Sequence, residues 1–177
     1  MNSVNIVDRR SVFATRWFDL IEKKVSGDPA PYYSISTRDY VSVLAVTPDG
    51  NFVLVRQYRP AVERMTLELP SGHVDEGDTP EIAARKELRE ETGFVADEFI
   101  LLGHLAPDTG RLGNRMWCFF APRVAPDPET EFEPEPEVEP LIFNKPLREL
   151  ILSEPAFCSG LNRATILMAL AGGYIDL

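Results

Sequence analysis

The stretch GHVDEGDTPEIAARKELREETG, residues 72–93, is a glycine-started loop running into a helix that carries Glu87, Glu90 and Glu91. At 100° per residue, those three carboxylates fall within about a third of the helix circumference. Like charges at three- and four-residue spacing repel, typically by about 0.2–0.5 kcal/mol per pair. Such a cluster is easiest to explain if something positive sits against it, and Mg²⁺ is often held by carboxylates together with substrate phosphates. The competing explanation is a solvated acidic face with scattered ion pairs. Here the charges are sorted: the three glutamates share their side with Ala83 and Ala84, while Arg85 and Arg89 lie roughly opposite. Geometry alone leaves both explanations open.

Local chemistry bounds the helix at 80–92. Thr79 can cap it, and Pro80 takes the first helical position, where its missing N–H costs nothing. Gly93 suits the left-handed position just past the end. Gly72 and Gly77 are expected to give the preceding loop its tight turns.

These residues closely resemble the box of the Nudix hydrolase family, G-x5-E-x7-R-E-U-x-E-E-x-G-U, where U is apolar. Gly72, Glu87, Leu88, Glu90, Glu91, Gly93 and Phe94 fill their places; Asp78 stands for Glu and Lys86 for Arg. In the family that arginine braces the metal-binding glutamates, and lysine lacks its planar bidentate fork. The resemblance therefore implies altered or weakened activity rather than none. It also implies an α/β (α+β) chain with the Nudix fold: a mixed β-sheet sandwiched between helices, preceded by a short β-rich extension.

Outward from the box, residues 1–37 read as that extension, and 38–177 as the Nudix domain. Tyr40–Val46 and Asn51–Gln57 are strand candidates joined by Thr47-Pro48-Asp49-Gly50, a hairpin signal. Met65–Leu69, Glu98–Leu105, Arg115–Ala121 and a short Leu141–Phe143 are further strand candidates. Helices are expected over 146–153 and 159–171. The second would turn Leu161, Thr165, Met168, Ala169 and Gly172 to one face.

Composition excludes several classes. The 177 residues suffice for one domain with a substantial core. No run approaches a membrane span, the N-terminus lacks the apolar stretch of a signal peptide, and a cytoplasmic protein is expected. Cys118 and Cys158 are too few for a disulfide framework and read as buried free thiols. The net charge of −10 argues against nucleic-acid binding. It is mostly local: residues 126–140 hold seven acids and no base, and without them 21 acids face 18 bases.

Segments RQYRP (56–60) and LELPSG (67–72) resemble the ADP-ribose pyrophosphatase branch of the family. Carried over residue by residue, the resemblance implies metal ligands at Glu87, Glu90, Glu91 and the Ser71 carbonyl. It implies phosphate contact by Arg59 and adenine stacking by Trp17. For Arg59 the alternative is a surface ion pair, and for Trp17 an ordinary core tryptophan. Asp108, Arg111 and Arg115 flank a loop, PDTGRLGN, that would help choose the substrate, with Arg111 the candidate contact. The general base would be Glu90, Glu91 or a later glutamate among Glu133, Glu135, Glu137 and Glu139, with Glu137 the named candidate. His73 and His104 belong to no metal-ligand spacing and read as structural. The implied reaction is Mg²⁺-dependent hydrolysis, with Mn²⁺ as a substitute, of the diphosphate linkage in a small nucleotide. ADP-ribose leads, ahead of other nucleoside diphosphate sugars; a non-catalytic sensor and an oxidised-nucleotide hydrolase are the rivals. The branch also implies a homodimer joined through the N-terminal strands.

Overall fold

The computed structural model describes residues 4–129, 132–133 and 136–177. The expected α+β sandwich is present, and alternation along its strands explains the layers. In β4 (Tyr40–Val46), Val41, Val43 and Ala45 point to one side of the sheet and Leu44 to the other. The same period of two recurs in β5 (Phe52–Arg59) and β10 (Met116–Pro122), where Val53, Phe119 and Ala121 oppose Phe52, Leu54 and Phe120. One face packs against α1 (Pro80–Thr92) through Ala83, Ala84 and Leu88. The other packs against α2 (Leu147–Ser153) and α3 (Gly160–Ala171) through Leu147, Leu150, Ile166 and Ala169.

The sheet is mixed. β12 (Val138–Phe143), β5, β4, β10 and β9 (Ile100–Leu105) lie side by side, with β4 and β10 parallel and the other neighbours antiparallel. β4 and β5 leave the Thr47–Gly50 turn paired only at Ala45↔Val53 and Val46↔Phe52, then part. β6 (Arg64–Glu68) continues on β5, and β7 (Ser71–His73) continues on β4. That parting of the two strands brings the chain from Glu68 to His73 into the sheet and delivers it directly to α1.

The N-terminal strands β1 (Ile6–Ala14), β2 (Asp19–Val25) and β3 (Tyr32–Ser36) form a separate antiparallel sheet. It meets the rest through Ile35, whose N–H donates to the Arg111 carbonyl at 2.7 Å and whose backbone bridges Leu112. Every residue of β1 is exposed. Two small strands, β8 (Phe94–Val95) and β11 (Ala125–Pro126), pair just beyond α1.

Several local expectations need correction. The buried face of α3 is Asn162, Thr165, Ile166 and Ala169, rotated from the expected stripe, because Asn162 bonds inward to the backbone at Leu69. The last strand starts at Val138 rather than Leu141, since the acidic segment itself pairs with β5 from Gln57 onward. Cys118 is buried, but Cys158 is only half-buried.

Candidate active site

Gly72 has no positive φ and makes no tight turn; it lies in β7 opposite Val41. Its lack of a side chain answers a different need. A Cβ there would stand 1.8 Å from Glu87 Oε1, so the Glu87 carboxylate rests directly on the glycine backbone. The neighbouring Ser71 N–H donates to Glu91 Oε2 at 2.9 Å. Two of the three box glutamates thus converge on consecutive residues of one loop. Glu90 is exposed beside them, and Glu91 is buried.

The helix is held as its sequence directs. Thr79 Oγ1 accepts the Ile82 N–H at 3.2 Å, and Pro80 occupies the first turn. Gly93, left-handed at φ 72°, donates its N–H to the Arg89 carbonyl. Arg89 Nε in turn pairs with Asp127 at 2.7 Å, and the ring of Phe132 covers Gly93. The start of the acidic segment is therefore fastened to the C-terminal end of α1.

Ser71, Gly72 and His73 also form one wall of a cavity of about 350 Å³. Arg59, Glu68, Tyr40 and Asn162 are among its other linings. Arg59 donates from Nε and Nη2 to the two Glu68 oxygens at 2.8 and 2.6 Å, and the Thr66 hydroxyl donates to Glu68 Oε1 at 2.6 Å. Burial pushes the Glu68 carboxyl up, but the Arg59 fork and the Thr66 hydroxyl together outweigh it and hold the group below the usual range. The same hydrogen bonds raise Arg59. Burial, reinforced by the nearby Arg38 charge, lowers His73 and favours its neutral form. On the far side, Asn162 Oδ1 accepts the Leu69 N–H at 3.3 Å, and its Nδ2 donates to the Ser42 hydroxyl at 3.4 Å.

Ser71, Glu87 and Glu91 therefore stand together, and Arg59 shares their loop's cavity. The remaining sequence candidates lie elsewhere. Trp17 sits in the turn after β1, 59% exposed, with the Arg16 guanidinium 4.4 Å over its ring; it is not a core residue. Arg111 is exposed on the loop that docks on β3, within 3.5 Å of Asp108. Glu137 is exposed just before β12, at the unusual φ of 77°. Glu139 pairs with Arg56 at 3.3 Å, Glu133 is exposed, and Glu135 lies outside the described residues. His104 is exposed, with its ring 5.0 Å from Trp117. Sequence reading passed over Glu68 and Asn162. Glu68 stands between Leu67 and Leu69, and that contrast was its available signal; Asn162, between Leu161 and Arg163, carried none.

Among the described residues no three His, Cys, Asp or Glu side chains are gathered as they would be around an ion. The donor chemistry nevertheless suits one. Glu87 and Glu91 bring oxygens to a loop whose own carbonyls are oxygen donors, and hard divalent cations prefer all-oxygen sets. Carboxylates on a glycine loop beside a guanidinium-lined cavity form the class of site that suits a hard cation and a phosphate. The chain belongs to the NUDIX domain family, whose model matches residues 36–154. It is 33% identical over 122 residues to the ADP-ribose pyrophosphatase of Bacillus subtilis (strain 168), covering 67% of this chain and 66% of that protein. It is 29% identical over 101 residues to the ADP compounds hydrolase NudE of Escherichia coli (strain K12), covering 57% and 54%. The chain thus spans somewhat less than two thirds of these relatives' own lengths. A crystal structure of an ADP compounds hydrolase shares the fold, with a TM-score of 0.78 over 99% of this chain and 98% of that one at 22% identity.

Proposed function

We propose that the chain hydrolyses the diphosphate linkage of a nucleoside diphosphate derivative with the help of Mg²⁺. ADP-ribose, giving AMP and ribose 5-phosphate, is the leading substrate. The observation that carries this reading is the Ser71–Gly72 junction. One face of that loop takes the Glu91 and Glu87 carboxylates, and the loop also walls the cavity that Arg59 lines. A diphosphate in the cavity would lie between guanidinium and carboxylates. The names of the two relatives, an ADP-ribose pyrophosphatase and an ADP compounds hydrolase, support the substrate class.

Glu87, Glu90, Glu91 and the Ser71 carbonyl would hold Mg²⁺ or Mn²⁺. When bound, the ion supplies neutralisation of phosphate charge and a lowered pKa for water. Arg59 would bind phosphate by exchanging Glu68 for phosphate oxygens, which its planar fork fits equally well. Glu90, Glu91 or Glu137 would accept the proton of the attacking water. Trp17 and Arg111 lie off this cavity within a single chain. Their substrate roles therefore require the homodimer, in which one copy's N-terminal sheet reaches the other's site. The full exposure of β1, including Ile6, Val7, Val12 and Phe13, supports such a partner. A cytoplasmic setting fits this substrate.

The test is hydrolysis by the purified protein with Mg²⁺ or Mn²⁺ across ADP-ribose, UDP- and GDP-sugars, NADH and nucleoside triphosphates. Turnover of ADP-ribose that disappears in Glu91→Gln is the expected result. Preference for another member replaces the substrate and keeps the chemistry. The departures from the family's box at Asp78 and Lys86 make a nucleotide-metabolite sensor the second reading. Tight binding of one panel member without turnover would establish it.

A further inference from the structure

We infer that Asp78 and Lys86, the two departures from the family's box, are one coupled positioning element that closes the 72–78 loop onto α1 and seats Glu87 on Gly72. The catalytic consequence rests on the proposed hydrolysis; the geometry does not. Lys86 Nζ lies 2.6 Å from Asp78 Oδ2, and the two side chains are 51% and 17% exposed. Asp78 is further fixed by its N–H, which donates to the Asp75 carbonyl at 3.1 Å just before the Thr79 cap. The residue after Lys86 is Glu87, whose carboxylate rests on Gly72 at the other end of the loop. Successive residues of one helical turn therefore grip both ends of the loop.

The two departures compensate in reach. Aspartate is one methylene shorter than glutamate, and lysine ends in a compact ammonium where arginine ends in a broad fork. Together they make a shorter bridge between loop and helix than a glutamate–arginine pair would. Restoring one partner alone puts either a wider fork or an extra methylene against a largely enclosed carboxylate. The loop end then shifts, and with it the seat of Glu87. A merely decorative surface pair contributes little and would behave additively.

The experiment compares the parent protein with Lys86→Arg, Asp78→Glu and the double variant. Three readouts are taken on each: Mn²⁺ affinity by electron paramagnetic resonance without substrate, thermal unfolding of the metal-free protein, and kcat and KM on ADP-ribose. Each single change is expected to weaken Mn²⁺ binding and kcat by about five- to tenfold with KM nearly unchanged, within the usual coupling of side chains in contact. The double variant is expected to return within about twofold. Singles equal to the parent, or losses that multiply in the double, overturn the inference. Lys86→Met removes the exposed arm and gives an independent check: Mn²⁺ affinity must fall, and unchanged affinity overturns the pair. If no substrate is turned over, the proposed hydrolysis fails, while the Mn²⁺ comparison still decides the pair.

Discussion

Gly72 is the residue on which the proposed site depends most narrowly. In Gly72→Ala the new methyl would fall within bonding distance of the Glu87 carboxylate, and the carboxylate must move. What moves is the far end of a flexible side chain, so the fold should survive with thermal unfolding nearly unchanged. Displacement of a metal-binding or reacting group by an ångström can cost about 100-fold in rate, and a kcat loss of that order is expected on the best substrate. Glu68 has a pH signature. Its folded carboxyl titrates below the ordinary 4.5, so its stabilising contribution is present above that pH and is lost as pH falls through the lower folded value. In Glu68→Gln the decline of stability in urea titrations below about pH 4.5 should be shallower than in the parent. The thiols should separate in a reactivity assay. Burial pushes the Cys118 thiol up despite its contact with the Thr165 hydroxyl, so it should resist a disulfide reagent until unfolding. Half-buried Cys158 should react in the native protein.

At the scale of elements, α1 was legible because every signal agreed: a cap, a proline at the first turn, apolar spacing, and a left-handed glycine at the end. β4 was equally plain, a nearly continuous apolar run bounded by a tight turn and buried on both faces. What escaped was decided by distant partners. β7 is too short to have a period and exists because β4 and β5 part. The opening of β12 hides in an acidic, proline-rich stretch whose pairing comes from Gln57 and Arg56. At the site, the glutamates, Ser71 and Arg59 could be named from local motifs, but Arg59's engagement by Glu68 arises from the β5–β6 pairing. The face of α3 was misjudged because Asn162 is polar yet buried. Removing it in Asn162→Ala leaves the Leu69 N–H without an acceptor in the interior. Equilibrium denaturation should show a loss of about 1–3 kcal/mol.

For the whole molecule, the sandwich accounts for the core, and the N-terminal sheet stands apart with one strand wholly exposed. Sedimentation equilibrium is expected to return about twice the 19.9 kDa chain mass, and a mass of one chain would remove the partner that Trp17 requires. The sandwich also joins its two outer layers mechanically. Asn162, on α3, grips the backbone at Leu69, and Glu91, on α1, grips it at Ser71, two residues further along. The chain between them works as the beam of a balance whose pans hang on opposite sides of the sheet. A mutational scan scored for turnover should therefore find lesions along the inner face of α3 ranked beside those in the box. A small molecule wedged under that helix would reach the carboxylates without ever touching them.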